Sequence, residues 1–239
     1  MLYSTQLYSW VLPTLPWAGM LEEGLYLALL KLVREGQAGL GELEEISSLG
    51  GDVLVKLLEG LPLRVEEGVV VVEDVAALLV ECWRRGIDPV RLALGAGWRD
   101  FERLCARVLE EAGYEAVTNL RFKWRGRRYE IDVAAFRRPR VLAVDCKRWS
   151  RLRASSLKRA AEAQKARADA LAGALRSTHS LAGRVAGWGE VRVYPVVVSI
   201  HEGGLRVYEG VPLVPMLKLP GFLREFEAYE EEELYVATR

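Results

Sequence analysis

Asparagine occurs once in this chain, at Asn119, and glutamine only at Gln6, Gln37 and Gln164, while arginine far outweighs lysine. So few thermally labile amides, with positive charge carried on guanidinium groups, predict a protein of thermophilic character. Cysteine is equally scarce: Cys82, Cys105 and Cys146 are odd in number, lack CxxC spacing and lie in apolar surroundings. That pattern argues against a disulfide framework and a zinc site, and predicts a reducing, cytoplasmic setting. No apolar run reaches the roughly 18 residues of a spanning helix, and the opening MLYSTQLYSW lacks a signal peptide's basic region. The expectation is a soluble protein with no membrane partner. Net charge is absent too, since 33 basic residues balance 33 acidic ones. Only the distribution of charge can therefore point to a partner.

At 239 residues the chain is long enough for two domains, each with its own core. Residues 1–19, aromatic and broken by Pro13 and Pro16, predict an irregular arm. Apolar spacing predicts a helix over Met20–Glu35 ended by Gly36, a second over Leu40–Ile46, and a third over Val53–Leu58 capped by Asp52. LRVEEGVVVVE, Leu63–Glu73, reads as a hairpin turning at Glu-Glu-Gly. Three helices and a hairpin follow the order of a winged helix-turn-helix, expected over 20–88 with a linker helix near Val75–Arg85. Gly86, Pro89, Gly95 and Gly97 mark a junction. Acids dominate this half, and its third helix carries only Lys56 as a cation. Such a module is a poor groove reader and suits packing on the rest of the chain or on a protein partner.

The second domain, 97–239, opens with WRDFERLCARVLEEAG, whose Phe101, Cys105, Val108 and Ala112 form one helical stripe. Strands are expected over Ala116–Trp124, Arg128–Phe136 and Arg140–Lys147. An Ala-rich helix, Ala154–Leu175, turns Leu157, Ala161, Gln164, Ala168, Leu171 and Leu175 inward. A strand over Val191–Ile200, a Gly203-Gly204 turn, a strand near Leu205–Tyr208 and a helix over Met216–Tyr229 complete it. The element order predicts an α/β (α+β) fold class.

Two of these strands carry acids where apolar residues are expected: Asp132, and Asp145 followed by Lys147. An unpaired charge taken out of water costs several kcal/mol or more, so the acids need a reason. Strand alternation puts Asp145 and Lys147 on one face, and a hairpin register can bring Asp132 beside them. Adjacent carboxylates repel, and a divalent cation removes the conflict. Oxygen ligands suit Mg²⁺ or Mn²⁺, which share their shell with substrate phosphate. The alternative is a surface hairpin whose Asp145–Lys147 pair contributes about 0–1 kcal/mol. Against it, Val141–Val144 is continuously apolar, as in a strand covered on both faces.

Asp132 followed by Asp145-Cys146-Lys147, in the element order α, β, β, β, α, β, resembles the PD-(D/E)xK, restriction-endonuclease-like nuclease superfamily. WRDFE, RFKWRGRRYEIDV and VDCKRW look most like uncharacterised archaeal members and, more distantly, Mrr-like enzymes and Holliday-junction resolvases. The resemblance implies a core with a central mixed sheet flanked by helices, and a metal held by Asp132, Asp145, the Cys146 carbonyl and a helix acid, Glu102, with Lys147 catalytic. It also implies a part for Gln164, which matches the glutamine that follows the lysine in Mrr-like members. Ile131 departs from the family's proline before the first acid.

Basic residues crowd the same region: Arg121, Lys123, Arg125, Arg127, Arg128, Arg148, Arg151 and Arg153 among them. This predicts a phosphate-binding surface. Trp124 and Trp149 are placed to stack on bases or to pack in the core. The expected activity is a metal-dependent DNA endonuclease acting as a homodimer. The alternative is a nucleic-acid-binding or regulatory protein without catalysis.

Overall fold

A computed structural model describes residues 18–147, 153–177, 179–200, 206–230 and 234–238. The chain divides into two compact units, Met1–Asp100 and Phe101–Arg239. All but the last two positions of the expected arm lie outside the described residues, and those two, Ala18 and Gly19, already belong to a helix.

In the first unit, α1 (Ala18–Glu35), β1 (Gln37–Gly39), α2 (Leu40–Ser47) and α3 (Gly51–Leu58) precede β2 (Leu63–Glu66), β3 (Val69–Val72), α4 (Val75–Arg84) and α5 (Pro89–Ala96). The strands form one antiparallel sheet in the order β1-β3-β2. Leu29, Leu32, Leu43, Leu54, Leu78, Leu79 and Leu92 are fully buried in this unit. Three details depart from expectation. β1 is too short to show alternation, and is a strand because Gln37–Gly39 pairs with Val69–Val71. Gly50, rather than Asp52, occupies the cap of α3, leaving Asp52 in the first turn, where its charge complements the helix N-terminus. The expected junction is instead α5: Asp88 Oδ1 accepts from Val90 N at 2.9 Å and Arg91 N at 3.1 Å, and Pro89 fills the first turn.

The second unit is built on a mixed sheet. α6 (Trp98–Glu111), which begins just before the division, leads to β4 (Glu115–Trp124), β5 (Arg127–Arg137), β6 (Arg140–Lys147) and α7 (Ala154–Ser177). After the short α8 (His179–Ala182) come β7 (Arg192–Ser199), β8 (Val207–Tyr208), β9 (Val211–Pro215), α9 (Leu219–Glu230) and β10 (Ala237–Thr238). The expected order α, β, β, β, α, β is therefore present. β4, β5 and β6 are antiparallel; β7 joins β6 in parallel, β9 joins β7 in parallel, and β8 and β10 add short antiparallel edges. β9 and β10 have no counterpart among the expected strands; prolines at both Pro212 and Pro215 disguise β9 as a loop. The Gly203-Gly204 turn lies outside the described residues.

α7 covers one face of this sheet. Ala168, Leu171 and Leu175 pack with Phe136, Val141, Ala143 and Val193 in one buried cluster. Trp124 also packs here: a methyl group on Gly173 of α7 would meet its ring at 2.5 Å. The opposite face carries Cys146, against Cys105 of α6, and Tyr194, edge-on to Phe226 of α9 with centroids 5.1 Å apart.

Candidate active site

The site begins with a break in strand pairing. β4 and β5 pair from Glu115↔Phe136 to Thr118↔Val133 and again from Leu120↔Ile131 to Trp124↔Arg127, skipping Asn119 and Asp132. Asn119, the chain's sole asparagine, is in the left-handed region at φ 53°. Asparagine tolerates that region better than other side chains. The break resets the alternation. Ile131 and Ala134, three apart, both pack into the cluster under α7, as do Val117 and Leu120 on β4.

On its other side β5 also leaves β6 at this point. Their ladder ends at Val133↔Val144, so Asp132 and Asp145, next in register, face each other across an opening fork. β6 continues to pair with β7 through Lys147↔Ser199. The Cys146 N–H that β5 no longer receives is donated instead to Asp132 Oδ2 at 2.7 Å. Within a strand, the N–H and C=O of one residue point to the same side, so the Cys146 carbonyl opens onto the fork as well.

Asp145 lies 4% exposed. Lys147 Nζ straddles its carboxylate, 2.9 Å from Oδ1 and 2.8 Å from Oδ2, but only the approach to Oδ1 has hydrogen-bond geometry. Arg167 of α7 donates from Nη1 to Oδ1 at 3.1 Å. Oδ2 is therefore a buried oxygen with no aligned donor. Gln164, fully buried on the same helix, donates from Nε2 to the Ala143 carbonyl at 2.8 Å and accepts from Arg167 at 2.9 Å. It ties α7 to the β6 backbone and is engaged at both ends of its amide.

Burial chiefly raises the Asp132 carboxyl above the usual carboxylate range. The Cys146 N–H bond opposes that rise, the charge of Asp145 adds to it, and Lys147 and Arg167 counter it. The Cys146 thiol is raised well above its ordinary value, first by its hydrogen bond with Cys105 and then by burial. It is a core group, and only the backbone of Cys146 faces the fork.

Asp132, Asp145, Lys147 and Gln164 thus come together, with Arg167 as a member that sequence reasoning misses. Glu102 does not form a three-acid group with the two aspartates. It is buried on α6, where its charge acts on the Cys146 thiol. Among the described residues no group of three or more His, Cys, Asp or Glu side chains is arranged to hold a metal ion. What the fork does offer a hard cation is an all-oxygen set: two carboxylates, one of them with an undonated buried oxygen, and a carbonyl released from its ladder. That chemistry fits Mg²⁺ or Mn²⁺ without a third acid, because Mg²⁺ keeps several waters of its own.

A family model described as a restriction endonuclease, the Mrr catalytic type, matches residues 94–188, the stretch that holds α6, the fork and Gln164. An uncharacterized protein of Archaeoglobus fulgidus is 34% identical over 137 residues, which span 56% of this chain and 95% of that protein. Residues 94–188 are a domain of the Mrr-type restriction endonuclease family. Among solved structures it is similar to protein VC1899 from Vibrio cholerae, at 14% identity and TM-score 0.36 over 88% of this chain. It is also similar to a protein of unknown function, AF1548, at 20% identity and TM-score 0.33 over 54% of this chain. This chain spans 57% and 65% of those two proteins, and likenesses at such scores carry no argument about function.

In this Mrr-type domain the basic residues gather at the β4–β5 hairpin. Lys123, Arg125, Arg127 and Arg128 are exposed around the Arg125-Gly126 turn. Lys123 stands directly opposite Arg128 in the register. Like charges so placed repel, and the hairpin carries that cost at its tip. Arg121 is different: it pairs with Glu130 at 3.1 Å. Arg153 is exposed just before α7, whereas Arg148, Trp149 and Arg151 lie outside the described residues. No helix among the described residues is long and apolar enough to cross a membrane.

Proposed function

We propose that the Phe101–Arg239 unit is a Mg²⁺- or Mn²⁺-dependent endonuclease that hydrolyses phosphodiester bonds in DNA in the cytoplasm. The observation that carries this reading is the fork itself: β5 parts from β6 just where Asp132 and Asp145 face each other beside Lys147. Burying two acids together is costly unless a cation shares them. A divalent ion bound there would supply a coordinated water of lowered pKa and neutralise charge on the phosphate.

The chain's own residues would act around that ion. Asp132 and Asp145 are its carboxylate ligands and the Cys146 carbonyl a third oxygen. Lys147, whose ammonium already bridges both Asp145 oxygens, is the group able to move toward the developing phosphate charge or orient the attacking water. Lys123, Arg125, Arg127, Arg128 and Arg153 would bind the DNA backbone. Arg128 is four residues from Asp132 along β5, roughly 13 Å, so the duplex can reach both. Cutting two strands requires two such sites, hence a homodimer. The first unit, read as an acidic winged-helix-like module over 20–88, would serve a protein contact rather than a DNA groove.

One observation favours the second reading, a nucleic-acid-binding or regulatory protein without catalysis: Asp145 is already compensated by two cations, Lys147 and Arg167. A cleavage panel of plasmid, single strands, branched DNA and structured RNA separates the two. Cutting that needs Mg²⁺ or Mn²⁺, stops with EDTA and is abolished in Asp145→Ala and Lys147→Ala supports the endonuclease. Salt-sensitive binding with no cutting of any substrate would leave the binding protein.

A further inference from the structure

We propose that Arg167 is a positioning residue, holding Asp145 by Oδ1 so that Oδ2 stays turned toward a divalent cation in the fork. The inference rests on the metal-dependent reading above. One nitrogen, Nη1, reaches both Asp145 Oδ1 at 3.1 Å and Gln164 Oε1 at 2.9 Å. Gln164 is fixed in turn, through Nε2, to the Ala143 carbonyl at 2.8 Å. The guanidinium is thereby referenced to the β6 backbone two residues before the carboxylate it holds. Lys147 also donates to Oδ1, but its ammonium lies almost equally close to Oδ2 and sits on a flexible stem, so it does not by itself fix which oxygen is held. A lysine at 167 could supply the charge but not the planar, pre-organised donor set.

The sign of the effect separates this role from simple charge. If Arg167 only added positive potential beside the site, its removal would tighten cation binding. If it positions Asp145, removal weakens binding, by roughly 10–100-fold as for other residues that orient metal ligands.

The experiment is a titration of the full chain with Mn²⁺ alone, without DNA, read by the loss of free-ion paramagnetic resonance signal. Wild type, Arg167→Gln, Arg167→Lys and Asp145→Asn are compared. Wild type is expected to bind, Arg167→Gln to bind at least tenfold more weakly, Arg167→Lys to recover only part of the loss, and Asp145→Asn not to bind. Unchanged or tighter binding in Arg167→Gln overturns the positioning role while leaving the metal reading intact. Absence of binding in wild type overturns both. Should Arg167→Gln not fold, Arg167→Lys at this 31%-exposed side chain decides the question alone: full wild-type affinity refutes the role.

Discussion

Three hairpins among the described residues, β2–β3, β4–β5 and β8–β9, close with the same two-residue turn, and the first two carry opposite electrostatics. In β2–β3 the turn is Glu67-Gly68, with φ 49° and 79°; in β4–β5 it is Arg125-Gly126, with φ 48° and 78°. Both are two-residue loops with positive φ at each position, the geometry that matches the twist of paired strands. The first hairpin places Glu66 and Glu67 at its tip and runs an unbroken ladder from Leu63↔Val72 to Glu66↔Val69. The second places Lys123, Arg125, Arg127 and Arg128 at its tip and interrupts its ladder at Asn119 and Asp132. Backbone geometry closes a hairpin; charge and a missing rung are what set the second apart from the first. The largest expected effect follows from charge. Changing all four basic tip residues to Glu should lower DNA affinity by two orders of magnitude or more. It should also flatten the dependence on log salt by about 0.9 for each phosphate that is no longer neutralised. Glu66→Lys with Glu67→Lys should alter neither. Fluorescence anisotropy at several salt concentrations reads both, and equal effects from the two hairpins would dissolve the comparison.

The missing rung gives the next effect. Asn119→Val puts a β-branched residue in the left-handed region at an exposed position, with no packing to blame. It should cost about 2 kcal/mol, while Asn119→Gly should be tolerated. Urea unfolding measures the cost. Cleavage by the Val variant at temperatures where it stays folded shows whether the interruption is needed to present Asp132.

Much of this is legible in the sequence. β6 and the inward stripe of α7 stand out because periodicity is strong where one face, or both, is fully buried. The Asp132/Asp145/Lys147 group is legible because charges in apolar strands have no structural reason to be there. Arg167 is not, since a charged residue on an Ala-rich helix reads as solvated until its spacing from inward-facing Gln164 is noticed. The rung at Asn119 leaves one trace, the chain's single asparagine, which speaks of composition before it speaks of conformation. α5 is hidden because Pro89 and Gly95 read as breakers, although an aspartate followed by proline is also a helix start.

A smaller effect tests the half of the comparison that should be equal. Neither Gly68 nor Gly126 has an atom within 4 Å of where a side chain would begin. Alanine at either position meets only the backbone penalty of positive φ, about 1 kcal/mol or slightly more. Gly68→Ala and Gly126→Ala should therefore loosen their own hairpins by similar amounts, read as faster amide exchange across β2–β3 and β4–β5 respectively. A large difference between them would mean that the turns are not alike.

The smallest effect lies at the interruption and turns on the sign of a proton. Burial raises the Asp132 carboxyl, so the folded chain holds that proton more tightly than the unfolded chain does. Below the unfolded value both states are protonated and nothing is lost. As pH rises toward the folded value the unfolded chain ionises first, and stability falls; above it the loss is complete and constant. Asp132→Asn has no such proton and can still accept the Cys146 N–H through its amide oxygen. Its Tm should match wild type in acid and exceed it at neutral pH, by about 2–4 °C for each kcal/mol relieved. Mg²⁺ or Mn²⁺ should narrow that gap by raising the Tm of wild type alone, since the ion favours the ionised carboxylate that burial penalises. Equal Tm values for the two proteins at neutral pH would show that the Cys146 N–H already offsets the burial. The strain attributed to the fork, and with it the thermodynamic argument for a cation there, would then fall.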